Sequence, residues 1–290
     1  MYLPDFDYYA PGSLEEACGL LRTLGPGAKV LAGGTDLLVK MKHGLVVPEA
    51  VVSLKALHEL KGITYDPDRG VVIAALATHN DLVDSPVLHK RFLSVSEAAH
   101  QMANNQIRNR GTVGGNLVNA IPSADLPPIL IALGAQITLV SRASSRTVPL
   151  ESFFTGPSCC VIDPVDEILT EIVIPNQPTT GSTYIKFGLR RSGALSVAGV
   201  AVAVTMAGDV IEDARISMGA VYPVPVRAED AEKALIGKTW SEALLEEAGE
   251  AAACCALPIS DIRGSSEYRL DLVRVLTRRA LRRAITEGHV

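Results

Sequence analysis

Two glycine-rich segments hold the residue types best suited to chemistry, Ala32-Gly33-Gly34-Thr35-Asp36-Leu37 and Thr112-Val113-Gly114-Gly115-Asn116-Leu117. Glycine adopts left-handed backbone angles without steric cost, so successive N–H groups can converge on one anion while Thr35 or Thr112 adds a hydroxyl donor. One such turn is a weak signal. Two of them point to a ligand with two phosphates, of which a dinucleotide is the commonest kind. Asp36 runs against this chemistry, because a carboxylate facing a diphosphate repels it, and its side chain is expected to point away and cap or buttress the loop.

Other chemistries lack their residues. No G-x-x-x-x-G-K-[ST] motif occurs, and no G-x-G-x-x-G follows a strand with an acid some twenty positions on. The cysteines Cys18, Cys159, Cys160, Cys254 and Cys255 include two adjacent pairs but no C-x-x-C, so neither a metal or iron–sulfur site nor a disulfide is expected. The histidines are scattered, without H-E-x-x-H or a Ser/His/Asp order, and neither a catalytic histidine nor a cysteine is expected near the loops.

With 290 residues, 48% hydrophobic and 20% charged, the chain is long enough to bury a sizeable core, and two domains are expected. A net charge of -5 with no long basic run makes nucleic acid and anionic membrane poor partners. Met1 to Phe6 lacks a leader-like start, and the longest apolar run, Val197 to Ala207, is too short to span a bilayer, so a cytoplasmic protein is expected.

The elements that must position the loops follow from periodicity. Ser13 and Glu16 form a capping box ahead of a helix that stops at Gly25; Lys29–Ala32 is a strand running into the first loop, and Leu37–Lys42 a helix leaving it. Val51–Leu54 and Val71–Leu76 read as strands, Asn80–Val83 and Phe92–Met102 as helices, and the second loop lies between helices. Pro127–Leu133 reads as helix, Gln136–Ser141 and Glu167–Ile174 as strands. Asn176–Ser182 is the best linker. Beyond it, Thr183–Leu189, Ser196–Met206 and Val210–Met218 read as a three-stranded antiparallel sheet, with turns at Arg191-Ser192-Gly193 and Ala207-Gly208-Asp209. Helices follow at Ala228–Ile236, at Ser241–Cys255 behind a Thr239/Glu242 capping box, and at Glu267–Ile285. The last helix carries Arg269, Arg274, Arg278, Arg279, Arg282 and Arg283, either a solvated basic face or a docking surface for an acidic partner.

The run Ala32 to Leu38, the segment Ile107-Arg108-Asn109-Arg110-Gly111-Thr112-Val113-Gly114-Gly115-Asn116 and Pro122-Ser123-Ala124-Asp125 together resemble the FAD-binding medium subunit of molybdenum hydroxylases, the xanthine and carbon monoxide dehydrogenase family. Glu167–Pro175 and Lys186-Phe187 extend the resemblance over nearly the whole chain. It implies an α+β protein: a two-subdomain α/β FAD-binding domain of the PCMH type at 1–176, divided at about residue 55, then a small sheet-plus-helices domain at 177–290. It implies that Leu31, Ala32, Gly33, Gly34, Thr35, Asp36 and Leu37 wrap the FAD diphosphate and that Thr112, Val113, Gly114, Gly115 and Asn116 close the other side. Ser123 and Asp125 match positions near the adenosine end, Leu169 an apolar contact there, and Lys186 a basic residue close to the flavin.

The same resemblance implies an oxidoreductase subunit that carries electrons from a partner's iron–sulfur clusters to NAD, a quinone, oxygen or a carrier protein. Molybdopterin and the clusters belong to a large and a small partner subunit, in a dimer of heterotrimers, and this chain needs no metal ligand and no general acid, base or nucleophile. Two other readings stay open on the residues alone. One is a self-sufficient FAD oxidase or dehydrogenase of related fold; the other is a non-redox nucleotide-binding scaffold.

Overall fold

The computed structural model describes residues 2–190 and 192–288. Arg191 of the expected turn and His289 lie outside the described residues. Among the described residues, three larger sheets and one two-stranded hairpin organise the chain.

The first lobe is a parallel sheet with strand order β1-β3-β2, built from β1 (Asp7–Tyr9), β2 (Ala28–Leu31) and β3 (Ala50–Ser53). Parallel strands need crossovers, supplied here by α1 (Leu14–Leu24) and α2 (Leu37–Lys42). The Ser13 hydroxyl accepts from Glu16 N to start α1, while the Glu16 carboxylate reaches Gly12 N, one residue earlier than a reciprocal box requires. Gly25, at φ 64°, ends the helix where a side chain would be strained.

The second lobe is a five-stranded antiparallel sheet with order β4-β5-β10-β6-β7. Its strands are β4 (Ile63–Asp66), β5 (Gly70–Ala74), β6 (Gln136–Val140), β7 (Ser145–Pro149) and β10 (Ile168–Ile174), with a small hairpin of β8 (Phe154–Gly156) and β9 (Cys159–Cys160). Between β5 and β6 run six short helices: α3 (His79–Val83), α4 (Pro86–Arg91), α5 (Leu93–His100), α6 (Asn105–Arg108), α7 (Val113–Asn119) and α8 (Leu126–Ala132). Every residue of α8 is buried, so it forms the lobe's central pillar.

The third unit is an antiparallel sheet of β11 (Gly181–Gly188), β12 (Ser196–Ala207), β13 (Val210–Gly219) and a two-residue fourth strand, β14 (Val226–Arg227), which the three-stranded expectation missed. Helices α9 (Glu229–Leu235), α10 (Glu242–Cys254) and α11 (Ser266–Glu287) cover one face. Ser241 caps α10 by accepting from Leu244 N, correcting the Thr239/Glu242 box: of two nearby hydroxyls, the one adjoining the first turn takes the bond.

Strand β12 is buried from Ser196 to Val204 and reads as one apolar run because both of its faces are covered. Its side chains alternate: Ala201 and Ala203 join the core of the second lobe, whereas Val200, Val202 and Val204 join the core under α9, α10 and α11. Each fully buried valine contributes about 1.5–3 kcal/mol of hydrophobic stabilisation. The shared core fixes the third sheet against the second lobe, which in turn holds the loop-bearing helices in place.

The basic side chains of α11 are mostly committed within the chain. Arg274 pairs with Glu250 at 2.7 Å, Arg278 with Glu246 at 2.9 Å and Arg282 with Glu242, all on α10. Arg269 is buried, donating to Ala220 O and Val197 O and pairing with Asp261 at 2.7 Å. The helix therefore presents an ion-paired seam rather than the open basic face expected from its own sequence.

Candidate functional site

Strand β2 delivers the chain to the first loop with Leu31 buried beneath it, and Gly34 turns at φ 79° before α2 begins. A β-carbon on Gly34 would sit 3.0 Å from Leu38 Cδ1 and 3.1 Å from Leu31 Cδ1, so both space and dihedral select glycine. Among the described residues, the amides of Gly33, Gly34, Thr35 and Asp36 meet no acceptor in the protein. These are the free donors of the site. Asp36 is exposed at the N-cap position of α2 but makes no capping bond; its carboxylate only accepts from Thr35 Oγ1 at 3.4 Å. The expected buttressing role is thus reduced to one weak local contact.

The second loop works differently. Val113 N donates to Ala77 O, Gly114 N to Ala75 O, Gly115 N to Thr112 Oγ1 and Asn116 N to Thr112 O. Its amides are spent on holding the loop to the strand exit and on starting α7, which corrects the expectation of a second open nest. Its glycines provide closeness instead. A β-carbon on Gly114 would come within 2.8 Å of Ala75 Cβ, and one on Gly115 would lie 2.8 Å from Thr112 Oγ1 and 3.9 Å from Ala32 Cβ of the first loop. Thr112 still has its hydroxyl proton to donate.

The two loops touch. A β-carbon on Gly33 would overlap the Arg110 carbonyl oxygen and lie 3.1 Å from Gly111 Cα. Around this junction opens a cavity of about 380 Å³ between the first and second lobes, within the range of about 300–1,000 Å³ usual for cofactor sites. Ala32, Gly33, Gly34, Thr35, Asp36, Leu37, Thr112, Gly114, Gly115, Asn116 and Leu169 all line it, while Leu31 and Val113 support the wall from inside the core.

Ser123, Asp125 and Lys186 are not part of that wall. Asp125 is buried and fully engaged: one oxygen accepts from Tyr184 Oη at 2.8 Å and Ser196 Oγ at 2.6 Å, the other from Lys186 Nζ at 2.7 Å. Burial, with the Asp125 charge beside it, holds the Tyr184 phenol well above its ordinary range, so it stays a donor. Lys186 also approaches Gln101 O at 3.4 Å, one residue from Met102 in the cavity wall. The ion pair thus meets the cavity wall only through Gln101, the chain neighbour of Met102.

Several lining residues escaped the sequence reading. Lys40 Nζ donates to Asn119 Oδ1 at 2.6 Å, joining α2 to α7 across the lobes, and both side chains line the cavity. Met102, Ile107 and His79 line it too. His79 is not singled out by the sequence as a site residue; its only sequence signal is the Thr78 capping position that starts α3. Glu167, at the rim, is held below its ordinary range by Arg146, which donates to it at 2.6 and 2.8 Å.

The donor set fits a flavin dinucleotide. The four free amides and Thr35 suit a diphosphate, and Asn116 Oδ1, buried without a partner, can accept from a sugar or ribityl hydroxyl. No group of three or more His, Cys, Asp or Glu side chains suited to a metal occurs among the described residues. No helix there is long and apolar enough to cross a membrane.

Comparison with known proteins gives the same chemistry. The family described as the FAD binding domain in molybdopterin dehydrogenase matches residues 4–177, and the CO dehydrogenase flavoprotein C-terminal domain matches residues 183–284. The carbon monoxide dehydrogenase medium chain of Hydrogenophaga pseudoflava is 35% identical over 98% of this chain and 98% of its own. The nicotine 6-hydroxylase medium subunit of Paenarthrobacter nicotinovorans is 37% identical over 97% of this chain and 98% of its own. A chain of a solved carbon monoxide dehydrogenase structure from Hydrogenophaga pseudoflava superposes with a TM-score of 0.95 at 36% identity, over 99% of this chain and 100% of that one.

Proposed function

Since the chain belongs to the FAD-binding medium subunits of molybdenum hydroxylases, oxidoreductase flavoproteins, we propose that it is the electron outlet of such a complex, receiving electrons from a partner's iron–sulfur clusters and passing them to an external acceptor. The observation that carries this reading is the contact of the two glycine loops over a cavity whose free amides come from the first. When bound, FAD supplies the redox chemistry, accepting electrons and releasing them. The chain's own residues bind, orient and shield it.

In this reading the amides of Gly33 to Asp36 and the hydroxyls of Thr35 and Thr112 hold the diphosphate, Asn116 orients a hydroxyl, and Leu169 covers an apolar ring. Ser123, Asp125 and Lys186 act from behind the wall, the buried cation next to Gln101 and Met102 setting the electrostatics of that end. Division at residues 176 and 177 separates the cofactor-binding part from a sheet-plus-helices part whose shared core fixes it in place. The partners are a large molybdopterin subunit and a small iron–sulfur subunit, assembled as a dimer of heterotrimers. All five cysteines are free thiols, as suits a reducing cytoplasm.

The test is the absorbance spectrum of the purified complex together with its subunit masses. A flavin spectrum with one larger and one smaller partner is expected. A colourless chain that takes up no FAD would overturn the reading, and turnover of an organic substrate by this chain alone would favour a self-sufficient enzyme.

A further inference from the structure

His79 is 3% exposed, lines the cavity, and keeps Nδ1 buried without a hydrogen-bond partner. That unpaired nitrogen bears on which tautomer the ring adopts. The ring is held from its own backbone: His79 N donates to Gly111 O at 3.1 Å, and Thr78 bridges to Thr112. The edge turned toward the second loop is the Cδ2–Nε2 edge, since a β-carbon on Gly111 would stand 3.0 Å from Cδ2 and 3.1 Å from Nε2. Gly111 is also the residue against which Gly33 packs. The imidazole therefore lies beside the junction of the two loops.

A neutral imidazole has one N–H and one lone pair. Placing the proton on Nδ1 would bury an unpaired donor, so the proton is assigned to Nε2, on the loop-facing edge. The second loop has spent the amides of Val113 to Asn116 internally, which leaves the Thr112 hydroxyl as that loop's own donor to the cavity.

We propose that His79 is a further cofactor-binding residue, donating a hydrogen bond from Nε2 to the diphosphate at the junction of the glycine loops. It supplies on the second loop's side what the free amides supply on the first. The inference rests on the FAD reading above and adds a ligand to the same site.

The full-length chain and its His79→Phe and His79→Gln variants are compared by FAD titration, followed by quenching of flavin fluorescence, and by phosphorus NMR of the bound diphosphate. His79→Phe keeps a ring of similar size and loses the donor; it is expected to weaken FAD binding about tenfold, the loss of one hydrogen bond to a charged group. His79→Gln, which keeps an N–H, should recover part of that affinity, and a phosphorus resonance should move in His79→Phe. Unchanged affinity and unchanged phosphorus resonances in His79→Phe would overturn the proposal. Should either variant unfold, nitrogen NMR of the wild-type imidazole decides: an Nε2 resonance that moves on adding FAD supports the bond, and one that stays still overturns it. A wild-type chain that takes up no FAD overturns the functional reading and this inference with it, whereas normal wild-type binding beside an unaffected His79→Phe overturns this inference alone.

Discussion

Gly33 packs so closely against the Arg110 carbonyl that the position has no room for a β-carbon. The contact joins two loops nearly eighty residues apart in sequence and sets the width of the cavity between them. Gly33→Ala must push the loops apart, and overpacking of this kind costs about 1–3 kcal/mol. FAD affinity is expected to fall about tenfold to a hundredfold, read by flavin titration of the full-length chain. Gly19→Ala is the control: Gly19 lies inside α1 with nothing near its missing β-carbon, so alanine should stabilise the protein by about 0.5–1 kcal/mol and leave flavin binding alone.

Asp125→Asn should be severe. It removes the charge facing Lys186 Nζ at 2.7 Å, where both side chains are less than a tenth exposed. An uncompensated buried cation costs about 3–5 kcal/mol. Urea denaturation should show that loss, and adding Lys186→Met to Asp125→Asn should restore much of it. A double variant no more stable than the single one would show that the damage lies with the Tyr184 and Ser196 bonds instead.

Acid should destabilise the chain through His79. Burial, with a smaller contribution from the Arg108 cation, lowers its pKa from 6.5 to about 4. Between those values the unfolded chain binds the proton and the folded one does not, so stability rises with pH across that window. The contribution is complete above pH 6.5 and is lost as pH falls toward 4, up to about 3 kcal/mol. Denaturation midpoints measured from pH 4 to 7.5 should flatten in His79→Phe.

Glu246→Gln, by contrast, should change little. Its pair with Arg278 is solvent-exposed, and such pairs contribute about 0–1 kcal/mol. The shift in thermal midpoint should be small and should shrink further in salt.

Local signals were legible where the deciding partners are close in sequence. Leu37–Lys42 is a helix as its residues indicate, and Gly25 stops α1 where expected. The first loop reads correctly as a cluster of free amides because nothing distant competes for them. The second does not: Ala75 and Ala77, nearly forty residues earlier, claim the amides of Gly114 and Val113. Asp125 likewise offers oxygens in sequence that Tyr184, Ser196 and Lys186 occupy in space. The arginines of α11 look free until α10 places glutamates opposite them, and His79 becomes a lining residue only because Gly111 folds back onto its backbone.

The segment beneath the second loop is held in turn by a bond from Ala75 N to Thr170 O on β10, the middle strand of its sheet. During synthesis, Gly114 and Gly115 leave the ribosome long before Thr170 does. The strand that fastens the floor of the cradle is thus among the last of its lobe to be made.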